Sequence, residues 1–204
     1  ALATTLLALG IMSGCATMSQ DECRMADWYS VGFEDGVRGA SADMIGKHRE
    51  ACADHGIAPN FERYQAGRDA GLVEFCQPSK AYRLGVAGGS YNGVCNSELE
   101  EDFLNAYRDG RHLHKLQSQV NSVDSALRSK RAQIEENKEL LTDNELLVLA
   151  DETTREDRIL LLKEIWELGK MQGELEEEIL ELEKIRVLRV QDLENYRQEI
   201  EYQY

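Results

Sequence analysis

From Ser97 onward the apolar positions keep a three-four rhythm. Leu113, Leu116, Val120, Val123, Leu127, Ile134 and Leu141 fall on one seam, with Lys130 and Asn137 as its polar members. A second run, Ile165, Leu168, Leu175, Ile179, Leu182, Leu193, Tyr196 and Ile200, repeats the rhythm; its period drifts at Ile185–Val190, where Arg186 and Arg189 interrupt it. Steps of three and four place side chains on one helix face. Sustained over several heptads, they predict a coiled coil. Three capping boxes punctuate this half: Ser97-x2-Glu100 as its start, Thr142-x2-Glu145 as a bend, and Thr153-x2-Glu156 as a restart. Two long helices about a corner of roughly a dozen residues predict an antiparallel hairpin. The rival is a parallel oligomer of extended helices. In either, Lys130 and Asn137 act as register markers at some loss of stability.

The first half has a different signature. Tyr29-x2-Gly32-x3-Gly36 is echoed by Tyr64-x2-Gly67-x3-Gly71 and Tyr82-x2-Gly85-x3-Gly89, and in shortened form by Tyr107-x2-Gly110. On a helix each tyrosine and its glycines share a face. A helical glycine costs ~1 kcal/mol relative to alanine, so this pattern needs a return, and close helix–helix approach supplies one. The competing reading makes Asp35-Gly36 and Asp109-Gly110 turns. Helices are expected near 21–38, 44–55, 61–76 and 79–88, with Gly56 and Pro59 in the second gap and Pro78 opening the fourth. The fold class is all-α: a small disulfide-stapled helical head with Tyr/Gly seams, then a long coiled-coil helical hairpin.

Residues 1–14, ALATTLLALGIMSG, are apolar and uncharged, and Cys15 follows. The run is shorter than the ~20 residues that span a bilayer and fits a signal-peptide core. The basic start usual for such a peptide is absent, so the sequence reads as trimmed at its front. Met12-Ser13-Gly14-Cys15 resembles a bacterial lipobox, with Met where Leu is usual. Cys15 is the expected lipidation site, and its acyl chains would anchor the protein. Ala16, in the place where Asp would retain a lipoprotein at the inner membrane, points by the same resemblance to the outer membrane. Four cysteines remain: Cys23, Cys52, Cys76 and Cys95. In an exported chain an even number reads as a disulfide framework. Three pairings are open. Short loops close more readily, which favours Cys23–Cys52 and Cys76–Cys95.

Charge removes one class of partner. The chain carries 38 acidic and 23 basic residues, for a formal net charge of -15, where nucleic-acid binding needs a basic footprint. Residues 98–204 hold 27 of the acids and 15 of the bases, which reads as a solvated rod. Chemistry is sparse. His48-x3-Cys52-x2-His55 puts three ligand-type side chains on one face, but Cys52 has the stronger expectation of a disulfide, so no metal is assigned. His112-x-His114 points to two faces of a helix. No nucleophile elbow, zinc-protease motif or phosphate loop occurs, so neither an enzyme nor a cofactor is expected. Trp28, Tyr29, Tyr64, Tyr82 and Tyr91 are either glycine-covering core or candidate ligand-groove aromatics.

Taken in order, the lipobox, Cys23, Asp27-Trp28, Gly32, Asp35-Gly36, His48, Cys52, His55-Gly56-Ile57-Ala58-Pro59, Tyr64-x2-Gly67-Arg68-x2-Gly71, Cys76, Gly85, Tyr91-x-Gly93-Val94-Cys95, Phe103 and Tyr107-x2-Gly110 resemble one family. It is the family of short proteobacterial lipoproteins catalogued as domain of unknown function 2799. The resemblance covers about residues 10–115; Asn96 departs from the Pro expected after the last Cys. It implies class and address and brings no activity. The expected organisation is a signal peptide (1–14), a Cys- and Gly-rich helical head (15–96) and a coiled-coil hairpin (97–204). The expected protein is lipid-anchored at the bacterial outer membrane and faces the periplasm. Its rod self-associates or holds a protein partner near the membrane. The alternative is a ligand-binding lipoprotein whose aromatic head captures an envelope glycan, peptide or small molecule.

Overall fold

The computed structural model describes residues 18–201 and 203; the expected signal peptide and the expected lipidation site Cys15 lie outside them. Among the described residues seven helices follow in order: α1 (Gln20–Met25), α2 (Trp28–Val37), α3 (Met44–Ala53), α4 (Phe61–Phe75), α5 (Pro78–Val86), α6 (Ser97–Leu149) and α7 (Arg155–Ile200). No strand occurs among the described residues. The chain is all-α, as the periodicity predicts. No helix among the described residues is long and apolar enough to cross a membrane.

The described residues pack as two compact units. Residues up to Ala81 join Ser90–Asn105 in the first unit, and Tyr82–Gly89 join Ala106 onward in the second. The repeats explain this. The Tyr82 repeat on α5 mates with the Tyr107 repeat on α6, so that stretch of α5 goes with the long helices.

In the first unit, α2 and α4 meet along their glycines. A Cβ at Gly32 would overlap the Tyr64 carbonyl oxygen, and one at Gly67 the Tyr29 carbonyl oxygen. One turn on, Gly36 faces the Arg68 carbonyl and Gly71 the Phe33 carbonyl. The two repeats therefore run parallel and in register, each glycine admitting the other helix's backbone. Cα–H···O contacts become available only at this range. Around this crossing Cys23, Trp28, Cys52 and Tyr64 form a core that Met18, Val31, Ile45 and Ile57 cover. A second apolar group gathers Phe103, which stacks on Phe75 and Tyr91 at 5.3 and 4.6 Å. Both bridges close as favoured, Cys23–Cys52 and Cys76–Cys95.

The second unit repeats the device and adds a hairpin. Gly85 of α5 faces the Tyr107 carbonyl while Gly110 of α6 faces the Tyr82 carbonyl. Gly88, at φ +74°, ends α5 in the left-handed region that favours glycine. Its carbonyl then accepts from Arg111 Nη1 at 2.8 Å, and the Gly89 carbonyl from Tyr107 Oη at 2.8 Å. Along the hairpin, Val120, Leu127 and Ile134 of α6 and Leu168, Leu193 and Ile200 of α7 are buried. Lys130 reaches Glu178, Arg131 reaches Glu183 and Asp124 takes Arg186. Nearer the chain's end, Arg197 donates to Gln117. Partners descend on one helix as they rise on the other, so the hairpin is antiparallel.

Four local expectations are corrected. The first helix, expected over 21–38, splits because the Asp27 carboxylate takes the Tyr29 N–H and the Ser30 hydroxyl and starts α2 afresh. Asn96, not Ser97, caps α6: its Oδ1 accepts from Leu99 N at 3.1 Å, and Glu100 accepts from Tyr91 Oη instead of closing a box. Thr142 makes no bend, since its hydroxyl donates back to Lys138 O within an unbroken α6. The corner is only Ala150–Thr154, and Thr154, not Thr153, caps α7 by accepting from Asp157 N at 3.2 Å. Thr154→Ala should therefore lower the hairpin's unfolding free energy by about 1 kcal/mol, whereas Thr142→Ala should stay within about 0.5 kcal/mol of wild type. Denaturant unfolding followed by helical circular dichroism measures both.

Candidate functional site

The chemistry-bearing residues of the first unit converge on Asp35. It lies in the last turn of α2, one residue before Gly36, and its side chain is 1% exposed. Because Gly32 and Gly36 let α4 approach, Tyr64 reaches across and donates its hydroxyl to Asp35 Oδ2 at 2.8 Å. His48, from α3, donates Nε2 to the same oxygen at 2.7 Å. Arg38 Nη2 donates to Oδ1 at 2.6 Å. Beyond α2 the chain turns through Gly39, and the Ala40 carbonyl accepts both Nε and Nη2 of the buried Arg68, at 3.2 and 2.9 Å. The Trp28 and Tyr64 rings flank His48 with centroids at 6.3 and 5.9 Å.

Burial is the largest single influence on Asp35 and raises its carboxyl. The hydrogen bonds from His48, Arg38 and Tyr64 together outweigh it and hold the group below its ordinary value. Asp35 is thus an ionised acceptor at neutral pH. Tyr64 moves the other way, pushed far up by burial and then by its bond to the carboxylate, and stays a phenol. A histidine held by a buried carboxylate is half of an acid–base device. Cys52, one turn beyond His48, is bound to Cys23 and serves neither as nucleophile nor as metal ligand. His55 is exposed just past the end of α3. The cluster works as a polar clamp on α2, α3 and α4.

The candidate groove aromatics do not assemble. Trp28 and Tyr64 are core, Tyr29 is 40% exposed, and Tyr91 packs on Phe103 while its hydroxyl accepts from Cys95 N at 2.9 Å. Tyr82 belongs to the second unit, half-buried near Asp109. A shallow groove of about 570 Å³ does exist in the first unit, but its apolar wall is Ile45, Pro59 and Phe61, with Asp43 and Arg49 beside them. The two histidines of α6 point apart, as their spacing requires. His112 stands edge-on to Tyr196 at 4.5 Å, and His114 Nδ1 donates to Val86 O at 3.0 Å. Tyr196 donates to Asp109 O at 3.2 Å, and burial followed by Asp109 pushes its phenol up to about 12.

A model of the family described as "protein of unknown function (DUF2799)" matches residues 27–112. The uncharacterized protein YfiL of Escherichia coli (strain K12) is 30% identical over 95 residues, which are 45% of this chain and 73% of that one. The chain belongs to the DUF2799 family. No solved structure matches it.

The family segment opens on Asp27, the cap of α2, and closes on His112 in α6. It therefore holds both glycine crossings, the Asp35 clamp and three of the four bridge cysteines. All of α7 lies beyond it. Asn96, the departure from the expected Pro, has a definite role as the α6 cap.

The clamp has a pH signature. A carboxyl whose pKa is lowered by folding stabilises the fold above its unfolded value and loses that contribution as pH falls through the folded one. Asp35→Ala removes the acceptor and leaves the buried Tyr64 Oη and the half-buried His48 without it, for a loss of about 3 kcal/mol near neutral pH. The gap between wild type and variant should narrow steadily as pH drops below the ordinary carboxylate range, in urea melts taken from pH 7 downward. Parallel curves would show that Asp35 is not the titrating clamp.

Proposed function

We propose that this DUF2799 protein is a lipid-anchored envelope protein of the structural or interaction kind, without catalytic activity. In this reading Cys15 carries the acyl chains at the bacterial outer membrane, and the hairpin makes the contacts in the periplasm. The observation that carries it is a contrast between the units. In the first, the groups capable of chemistry are turned inward: Asp35 accepts from three donors, Tyr64 is buried and the thiols are paired. In the second, α7 presents large apolar side chains to solvent, among them Trp166 at 65% exposure. Apolar surface of this kind on a soluble helix marks an interaction face. The lipobox and the closed disulfides support an exported location.

Two measurements test the reading in cells that make the protein. Labelled fatty acid should enter the wild-type chain and not Cys15→Ser. Photo-activatable side chains at Leu160 or Leu180 on the hairpin should capture discrete protein adducts, while the same probe at Phe61 should not. A chain that takes up no label has no anchor. Adducts confined to Phe61 would move the function to the head and its shallow groove.

A further inference from the structure

The aromatic-x2-Gly-x3-Gly pattern occurs once more, on α7, as Trp166-x2-Gly169-x3-Gly173. Elsewhere in the chain each copy has a mate: α2 with α4, and α5 with α6. Gly32, Gly36, Gly67, Gly71, Gly85 and Gly110 each have a backbone carbonyl of the other helix where a Cβ would stand; Gly89, past the end of α5, meets Leu84 instead. Gly169 and Gly173 have nothing within 4 Å of that point. Ile159 and Leu162 extend the same face toward the corner, at 60% and 54% exposure, and Trp166 tops it. The face is distinct from the hairpin seam. At about 100° per residue it lies roughly 110° around α7 from the Leu161–Ile165–Leu168 stripe. That angle leaves room for another helix beside the hairpin, as in a helical bundle.

We propose that this face of α7 is where a second copy of the chain docks, with the two α7 helices parallel and in register across Ile159–Gly173. This rests on the reading of the hairpin as the interacting element and names its partner. Two features of the repeat select a second copy. The pattern is self-complementary, since in α2 with α4 and in α5 with α6 each repeat both offers the carbonyl and supplies the glycine. Among the described residues all the other repeats are already mated, so the complementary surface left is the α7 of another molecule. The mated crossing also sets the backbone register. In the α2–α4 pair Gly36 sits between Arg68 O and Leu72 N, four and eight residues after the tyrosine. In register, Gly173 of each copy would lie against the backbone between Lys170 and Glu174 of the other. In-register pairing also sets Ile159, Leu162 and Trp166 against their own counterparts. Glu176 interrupts the stripe beyond Gly173, so the contact centres on the half of α7 nearer the corner.

The test uses the full chain carrying Cys15→Ser, so that neither acyl groups nor that thiol contribute. Sedimentation equilibrium should show a dimer at micromolar concentration. Adding Gly169→Ala with Gly173→Ala should weaken dimerisation more than about tenfold, with a melting temperature equal to or above that of the parent, because alanine favours helix over glycine. Lys170→Cys should link two copies covalently under mild oxidation. A monomeric parent, a double-alanine chain that dimerises like its parent, or a Lys170→Cys chain that stays unlinked would each overturn the proposal. A monomeric parent alongside hairpin adducts in cells would overturn the second copy while leaving the hairpin as the interacting element.

Discussion

Contact between two helix backbones, at positions where glycine omits the side chain, is the constraint on which both compact units depend. At the α2–α4 crossing four glycines admit four carbonyl groups of the facing helix, and at the α5–α6 crossing two do. Glycine is a poor helix former, so six of them in helices are tolerable only if the close approach returns more than they lose. The return is visible in what surrounds the crossing. Tyr64 is fully buried, Arg68 is nearly so, and both spend their polar ends on α2 or on the turn that follows it. Without the crossing Tyr64 would not reach Asp35, and α3 would lose the carboxylate that holds His48.

From that constraint comes a division of labour. The first unit is small, and two disulfides, an ionised buried aspartate and a glycine crossing all act to hold its short helices together. The second unit extends one crossing into a long antiparallel pair whose seam is a strip of Val, Leu and Ile edged by ion pairs. A single stripe per helix buries one face only, and α7 has apolar residues to spare. Trp166, Leu160, Leu180, Val187 and Leu188 of α7 stand more than half exposed.

Much of this is legible in the chain, for identifiable reasons. The three-four rhythm and the Tyr/Gly repeat are periodic, and periodicity reports helix faces directly. Capping boxes read less well. In a segment this rich in glutamate, Ser or Thr followed by Glu three residues on recurs by composition, so Thr142 and Thr153 fit the pattern while the helix runs on or starts one residue later. Asn96 and Asp27, single side chains with no box, mark the true starts. The Asp35 clamp is the largest omission. Its members are 13 and 29 residues apart from Asp35 along the chain, a separation no local pattern encodes. Its one local sign, Asp35-Gly36 within a helix, also reads as a turn. The α7 repeat is as plain in sequence as the others, but its meaning appears only once the mated copies show what such a face does.

Glycine acts here as an absence that another backbone fills, and alanine substitution at matched helical positions tests it directly. Unfolding free energies for Gly46→Ala, where a Cβ meets nothing within 4 Å, should rise by up to about 1 kcal/mol. Gly32→Ala and Gly67→Ala, where a Cβ meets a carbonyl oxygen, should fall by about 2 kcal/mol or more. Stabilisation at all three positions would mean that the helices do not touch at their glycines, and the crossing on which both units are built would be wrong.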